Sequence, residues 1–191
     1  MQHFYHFVHL ICKTCQKSHI ERGGVMTNVE WALVSSAKQG DAHAFALLYE
    51  RFYKDLYRFA LCYLKNPDQA EDAVSQAVLT AYEKLPNLKK DSSFKSWIFR
   101  ITANACRQLF RNDRGVPLSD DYESPVVEEG YEKKELDDLL KVLNDDERMI
   151  ITLSVFSGYN SSEIADMLIM QPGTVRSIKS RSIAKLREAL A

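Results

Sequence analysis

The chain has 191 residues, 46% hydrophobic and 27% charged, with 25 lysines and arginines against 26 acids for a formal net charge of −1. That is enough apolar material for one or two soluble globular cores. With only 7 glycines and 5 prolines, a turn-punctuated all-β fold and low-complexity disorder are excluded, and a charge this near zero argues, at first sight, against a nucleic-acid partner.

The first 25 residues stand apart. His9, Cys12, Cys15 and His19 are spaced His-x2-Cys-x2-Cys-x3-His, four ligand types that bind zinc. Against a metal site stands the run Glu21-Arg22-Gly23-Gly24-Val25 before Met26, which purine-rich codons of a ribosome-binding site would encode. Residues 1–29 are therefore read as a leader, disordered or a mis-assigned start, and no metal or cofactor is assigned. Cys62 and Cys106 fall inside apolar helical patterns, where a reduced, buried thiol is ordinary. No window approaches the roughly 20 apolar residues of a membrane span, so a cytoplasmic chain is expected.

From Glu30 onward the apolar spacing is helical. Asp41 caps a helix whose stripe is Phe45, Leu48, Phe52, Leu56, Phe59 and Tyr63, at steps of three or four. Asn66-Pro67-Asp68 restarts the chain as cap, first helical residue and first-turn acid, and Ala70, Ala73, Val74, Ala77, Val78 and Ala81 should face inward until Leu85-Pro86. Ser92 or Ser93 is expected to cap a third helix from Phe94. Its core face is Phe94, Ile98, Ile101, Ala105 and Leu109, and a second stripe of Trp97, Arg100, Asn104, Arg107 and Arg111 does not read as core.

Periodicity fails from about Arg114 to Gly130, where glycine, proline and serine mix with Asp120, Asp121, Glu123, Glu128 and Glu129, as in a solvated linker. Leu136, Leu139, Leu140 and Leu143 resume a helix, and Asn144 or Asp145 caps the next, with Met149, Ile150, Leu153 and Phe156 inward. After Ser157-Gly158, a capping box Asn160-Ser-Ser-Glu163 opens a helix to Leu168; a five-residue turn leads to a last helix from Thr174 to Leu190. This is helix-turn-helix spacing. On the last helix Val175, Ile178, Ser182, Leu186 and Ala189 fall inward, while Arg176, Ser177, Ser180, Arg181 and Arg187 face out, residue types that suit guanine edges and phosphates.

Four motifs in order resemble the extracytoplasmic-function (ECF) class of bacterial RNA polymerase sigma factors: Gly40-Asp-Ala-His-Ala-Phe45-Ala-Leu-Leu-Tyr49, Asp68-Gln-Ala-Glu71-Asp72-Ala-Val-Ser-Gln76, Phe94-Lys-Ser-Trp97-Ile-Phe-Arg100-Ile-Thr-Ala-Asn104, and Glu163-Ile-Ala165 with Gly173-Thr-Val-Arg176-Ser177. The resemblance implies an all-α fold of two small helical domains joined by a flexible acidic linker, the second a helix-turn-helix. The domains are 30–113, for polymerase binding and −10 recognition and melting, a linker at 114–132, and 133–191 for the −35 element. It implies Glu71, Asp72 and Gln76 against the polymerase β′ coiled coil, Phe94, Lys95, Trp97, Arg100, Asn104, Arg107 and Arg111 against the −10 strand, and Thr174, Arg176, Ser177, Lys179, Ser180 and Arg181 against the −35 duplex. The loop from Leu85 to Ser93 would cradle an unstacked base. Core RNA polymerase, promoter DNA and an anti-sigma factor are the implied partners, with no small-molecule substrate.

Three departures from the family pattern stand out. Ala77 stands where an acid is usual, which puts part of the polymerase contact in question. Ile169 replaces the usual turn glycine, and a β-branched residue disfavours positive φ, so the turn is expected to differ in detail. Ile178 and Ser182-Ile183-Ala184 leave the last helix poorer in arginine. No Gly-rich phosphate loop or His-Glu-x-x-His motif points to an enzyme. A dimeric helix-turn-helix regulator of duplex operators is the alternative, though it has no need of the Trp97 to Arg111 face; a metal-responsive protein built on Cys12 and Cys15 is another.

Dividing the charge along the chain reverses the first impression. Residues 95–114 and 173–191 each carry a net +4, whereas 118–147 hold twelve acids against three lysines, a net −9. That acidic stretch is expected to discourage the free protein from binding DNA, with Glu128 and Glu129 as the residues to neutralise.

Overall fold

The structure, a computed structural model, describes residues 26–113 and 140–189, and every regular element among them is helical. The calls on residues 1–25, on the linker and on Leu136 and Leu139 lie outside the described residues.

Helix α1 (Asn28–Lys38) starts at a capping box that the sequence reading missed. The Glu30 amide donates to Thr27 Oγ1 at 3.3 Å and the Thr27 amide to Glu30 Oε2 at 2.6 Å. Arg51 Nε, 2.7 Å from Glu30 Oε1, then fastens α1 to α2 (Ala42–Leu64). Asp41 caps α2 by accepting from the amides of His43 and Ala44, and the whole expected stripe from Phe45 to Tyr63 is buried. Asn66 caps α3 (Pro67–Lys84) with proline in its first turn. Ala70, Ala73, Ala77 and Ala81 are all fully buried, so α3 approaches its neighbours closely.

Two 3₁₀ turns, Leu85–Asn87 and Asp91–Ser93, lead into α4 (Phe94–Asp113). No serine cap forms: the Ser93 hydroxyl donates to the Lys90 carbonyl at 2.6 Å, because the helix is entered directly from the 3₁₀ turn. The buried side of α4 is also broader than expected. Phe94, Ile98, Phe99, Thr102, Ala103 and Cys106 are buried, while Ile101, Ala105 and Leu109 are only partly so.

The C-terminal half supplies the reason. Asn144 and Glu147 form the capping box of α5 (Asp145–Ile151), which runs on into a π-helical turn at Thr152–Phe156. Helices α6 (Ser161–Leu168) and α7 (Pro172–Ala189) complete the helix-turn-helix. This half packs on the first: Tyr159 meets Phe99 edge-on at 5.1 Å, the Arg148 guanidinium sits 4.8 Å from the Phe110 ring, and Cys62 of α2 joins Leu140, Leu143, Ile151 and Leu186 in a second core. Periodicity within α4 could not reveal a further packed side made by Arg148 and Tyr159, far along the chain.

Candidate nucleic-acid interface

Trp97 is held on α4 by its own core, with its ring 5.9 Å from that of Phe94. Phe94 in turn lies against Phe52 at 5.6 Å and is wholly buried, which removes it from the candidate strand contacts and makes it the support of Trp97. Half-buried Trp97 and Arg100 open onto a cleft of about 650 Å³ whose other walls are Asn87, Leu88 and Lys89 from the loop, Ser92, Ser93 and Ser96 at the helix entry, and Asp166 of α6. An aromatic edge, a guanidinium and several hydroxyls around a volume of this size can take a planar, hydrogen-bonding ring. Residues of the Leu85 to Ser93 loop and of the Trp97 stripe thus line one cleft.

Further along α4, Asn104 is exposed, Arg107 Nη2 donates to Asp146 Oδ1 at 2.8 Å, and Arg111 Nε lies 3.4 Å from Asp145 Oδ2. Lys95 Nζ sits 5.2 Å from the centre of the Tyr159 ring. Burial pushes the Cys106 thiol up to about 12, so it is an inert core group on the opposite side of the helix.

A second surface runs along α3, where Glu71, Asp72 and Gln76 are all exposed. Leu79 continues the row of Asp72 and Gln76 with 62% of its surface exposed, and Tyr82 lies exposed one turn on. Sequence reading missed both; the available signal was that Leu79 falls out of phase with the buried alanines. Ala77 belongs to that buried face, so an acid there would lie in the core, and its absence takes nothing from the exposed row.

In the helix-turn-helix, Ile164 and Ala165 of α6 and Val175 of α7 are buried where the two helices meet. Thr174, Arg176, Ser177, Ser180 and Arg181 are exposed and Lys179 is half-buried. Ala189, expected inward, is exposed. The turn is three residues, not five, because Pro172 already occupies the first turn of α7. The expectation that Ile169 would alter the turn is corrected too: it takes φ 55 and ψ 53, the left-handed conformation a glycine would adopt, with its side chain 75% exposed. Among the described residues no group of histidines, cysteines and acids could hold a metal, and no helix is long and apolar enough to cross a membrane.

Comparison with known proteins shows the family. Sigma-70 region 2 matches residues 48–115, and Sigma-70, region 4 matches 139–188. The ECF RNA polymerase sigma-E factor of Escherichia coli K12 is 30% identical over 177 residues, covering 83% of this chain and 90% of that protein. The ECF RNA polymerase sigma factor SigM of Mycobacterium tuberculosis H37Rv is 28% identical over 174 residues, covering 88% of each. Among solved structures, the sigma factor RpoE in complex with the anti-sigma factor NepR from Bartonella quintana superposes with a TM-score of 0.63 at 25% identity, covering 76% of this chain and 96% of that one. CnrH in complex with the cytosolic domain of CnrY shares the fold at a TM-score of 0.69 and 24% identity, covering 85% and 97%. Since the two matched regions occupy the two helical halves in turn and the likeness runs through nearly the full length of each relative, the chain belongs to the sigma-70 family of RNA polymerase sigma factors, in its ECF group.

Proposed function

We propose that this sigma factor divides its work among the three surfaces just described. The exposed α3 row of Glu71, Asp72, Gln76 and Leu79 docks on core RNA polymerase. Trp97, Arg100 and Asn104, with the loop before α4, capture the opened −10 strand, and Lys95, Arg107 and Arg111 follow its phosphates. Thr174, Arg176, Ser177, Ser180 and Arg181 read the −35 duplex, with Lys179 at the edge of that face. No covalent step is required: base stacking contributes about 1–3 kcal/mol per base and phosphate contacts add a salt-dependent share, so binding the opened strand drives melting. The role places the chain in the cytoplasm with polymerase, and the likeness to sigma factors solved with their antagonists supports control by an anti-sigma factor.

The observation that carries this reading is the cleft at Trp97 and Arg100 beside a basic helical face, which a regulator of duplex operators does not need. Pull-down with core polymerase and run-off transcription from the promoter mapped after overexpression test it. Polymerase binding and promoter-specific transcripts are expected; absence of both would refute it. On the same template Arg176→Ala should abolish the difference between wild-type and −35-mutant promoters, and a retained difference would exclude Arg176 from −35 recognition.

A further inference from the structure

The loop that forms one wall of the cleft at Trp97 and Arg100 is pinned from α1. Lys38, in the last turn of α1, donates from Nζ to Asp91 Oδ1 at 2.7 Å, across 53 residues of sequence. Both 3₁₀ turns of the loop pack against α1, and Leu85 and Leu88 are buried at its near end. The far end has no such apolar anchor, since no side chain from Lys89 to Ser93 is buried. Asn87, Leu88, Lys89, Ser92 and Ser93 line the cleft, whereas Asp91 turns to Lys38 instead. We propose that Lys38 and Asp91 are a positioning pair for base recognition: their contact fixes the loop and so sets which base of the opened strand the cleft accepts.

The turn that Asp91 opens is stiff in itself. The Ser93 amide and hydroxyl both donate to the Lys90 carbonyl, at 3.0 and 2.6 Å, and the Ser96 hydroxyl donates to the Ser93 carbonyl at 3.0 Å. Holding Asp91 therefore holds the two serines of the cleft wall with it. Hydrogen-bonding groups discriminate one base from another only when they are kept in place before the base arrives. The anchor is itself braced, because Arg51 and Glu30 fasten the other end of α1 to α2 at 2.7 Å. Side chains 23% and 35% exposed leave the Lys38 and Asp91 pair partly shielded from solvent and salt. Lys38 also neutralises the one acid of a loop whose other charges, Lys89 and Lys90, suit a phosphate strand. Losing Lys38 thus has two costs, a loosened loop and an uncompensated carboxylate beside the strand, whereas losing the Asp91 charge has only the first.

The pair matters to promoters only if the cleft takes a base, so this inference rests on that reading. The test uses holoenzyme made from core polymerase and the full chain, with run-off transcription from the mapped promoter carrying each base in turn at every −10 position. Wild type is compared with Lys38→Met, Asp91→Asn, the double variant, Lys38→Arg and Trp97→Ala. At the position that the cleft reads, Lys38→Met should reduce the ratio of best to worst base by about threefold to fivefold, the upper range for one partly exposed ion pair. Asp91→Asn should give a smaller reduction, the double variant should match Asp91→Asn, and the conservative Lys38→Arg should restore the ratio. Discrimination at the −35 element and affinity for core polymerase should not change, which a general loss of folding would alter. Additive reductions in the double variant, or equal loss of −10 and −35 discrimination in Lys38→Met, overturn the proposal. An unchanged ratio in Lys38→Met while Trp97→Ala loses transcription overturns it and leaves the reading of the cleft standing; no loss in either variant overturns both.

Discussion

Arg107 and Asp146, 39 residues apart, meet at 2.8 Å where the two sigma regions touch, with the arginine side chain 22% and the aspartate 59% exposed. A pair of this exposure contributes about 0.2–1 kcal/mol and weakens with salt. It adds to an apolar junction in which Tyr159 meets Phe99 and Cys62 packs with Leu140, Ile151 and Leu186.

Ile169 marks a strained point in the helix-turn-helix. A β-branched residue in the left-handed region costs about 1–2 kcal/mol, and its exposed side chain recovers little of that by packing. Ile169→Gly removes the strain but adds about 0.5–1 kcal/mol of unfolded-state entropy, so a net gain of about 0.5–1 kcal/mol is expected. Thermal melting should show a rise of roughly 2–3 °C. A fall would mean that the turn relies on the isoleucine.

Glu147 ties α5 to α7 through Lys185 at 2.7 Å while capping Asn144. Burial pushes its carboxyl up, but the hydrogen bonds from the Lys185 ammonium and the Asn144 amide outweigh this and leave it below the ordinary value of 4.5. A group lowered in the folded state gives stability that is full above its unfolded value and is lost as pH falls through the folded one. Wild type should therefore exceed Glu147→Gln in melting temperature at neutral pH, and the gap should close as pH falls below the ordinary value of 4.5. A gap independent of pH would show that the ion pair contributes nothing.

Leu79 gives the proposed polymerase-docking row a test that folding does not confound. With 62% of its surface exposed it carries little of the core, so Leu79→Arg should leave the melting temperature within about 1 °C. Binding to core polymerase should fall by at least about tenfold, as expected for a central apolar contact. Undiminished binding would move the docking surface elsewhere.

Much of this was legible in local pattern. The α2 stripe from Phe45 to Tyr63 and the caps at Asp41, Asn66, Asn144 and Asn160 follow from spacing and side-chain chemistry within a few residues. What escaped depends on distant partners or local competition. Phe99 is covered by Tyr159 of the other half; the serine cap gave way to a 3₁₀ turn; Phe94 is buried beneath Trp97. The pairing of Arg107 and Arg111 with acids beyond the linker is a tertiary fact that neither charge count nor helical period encodes.

The central claim is that the Trp97 face captures the opened −10 strand. Permanganate reactivity of −10 thymines in the holoenzyme complex on the mapped promoter tests it most directly, comparing wild type, Trp97→Ala and Trp97→Phe. The account predicts that Trp97→Ala loses at least about tenfold in reactivity, in keeping with one lost stacking contact, while retaining its helical circular dichroism and its affinity for core polymerase, and that phenylalanine restores most of the signal. Full reactivity in Trp97→Ala, or parallel loss of polymerase binding and helical signal, would contradict it.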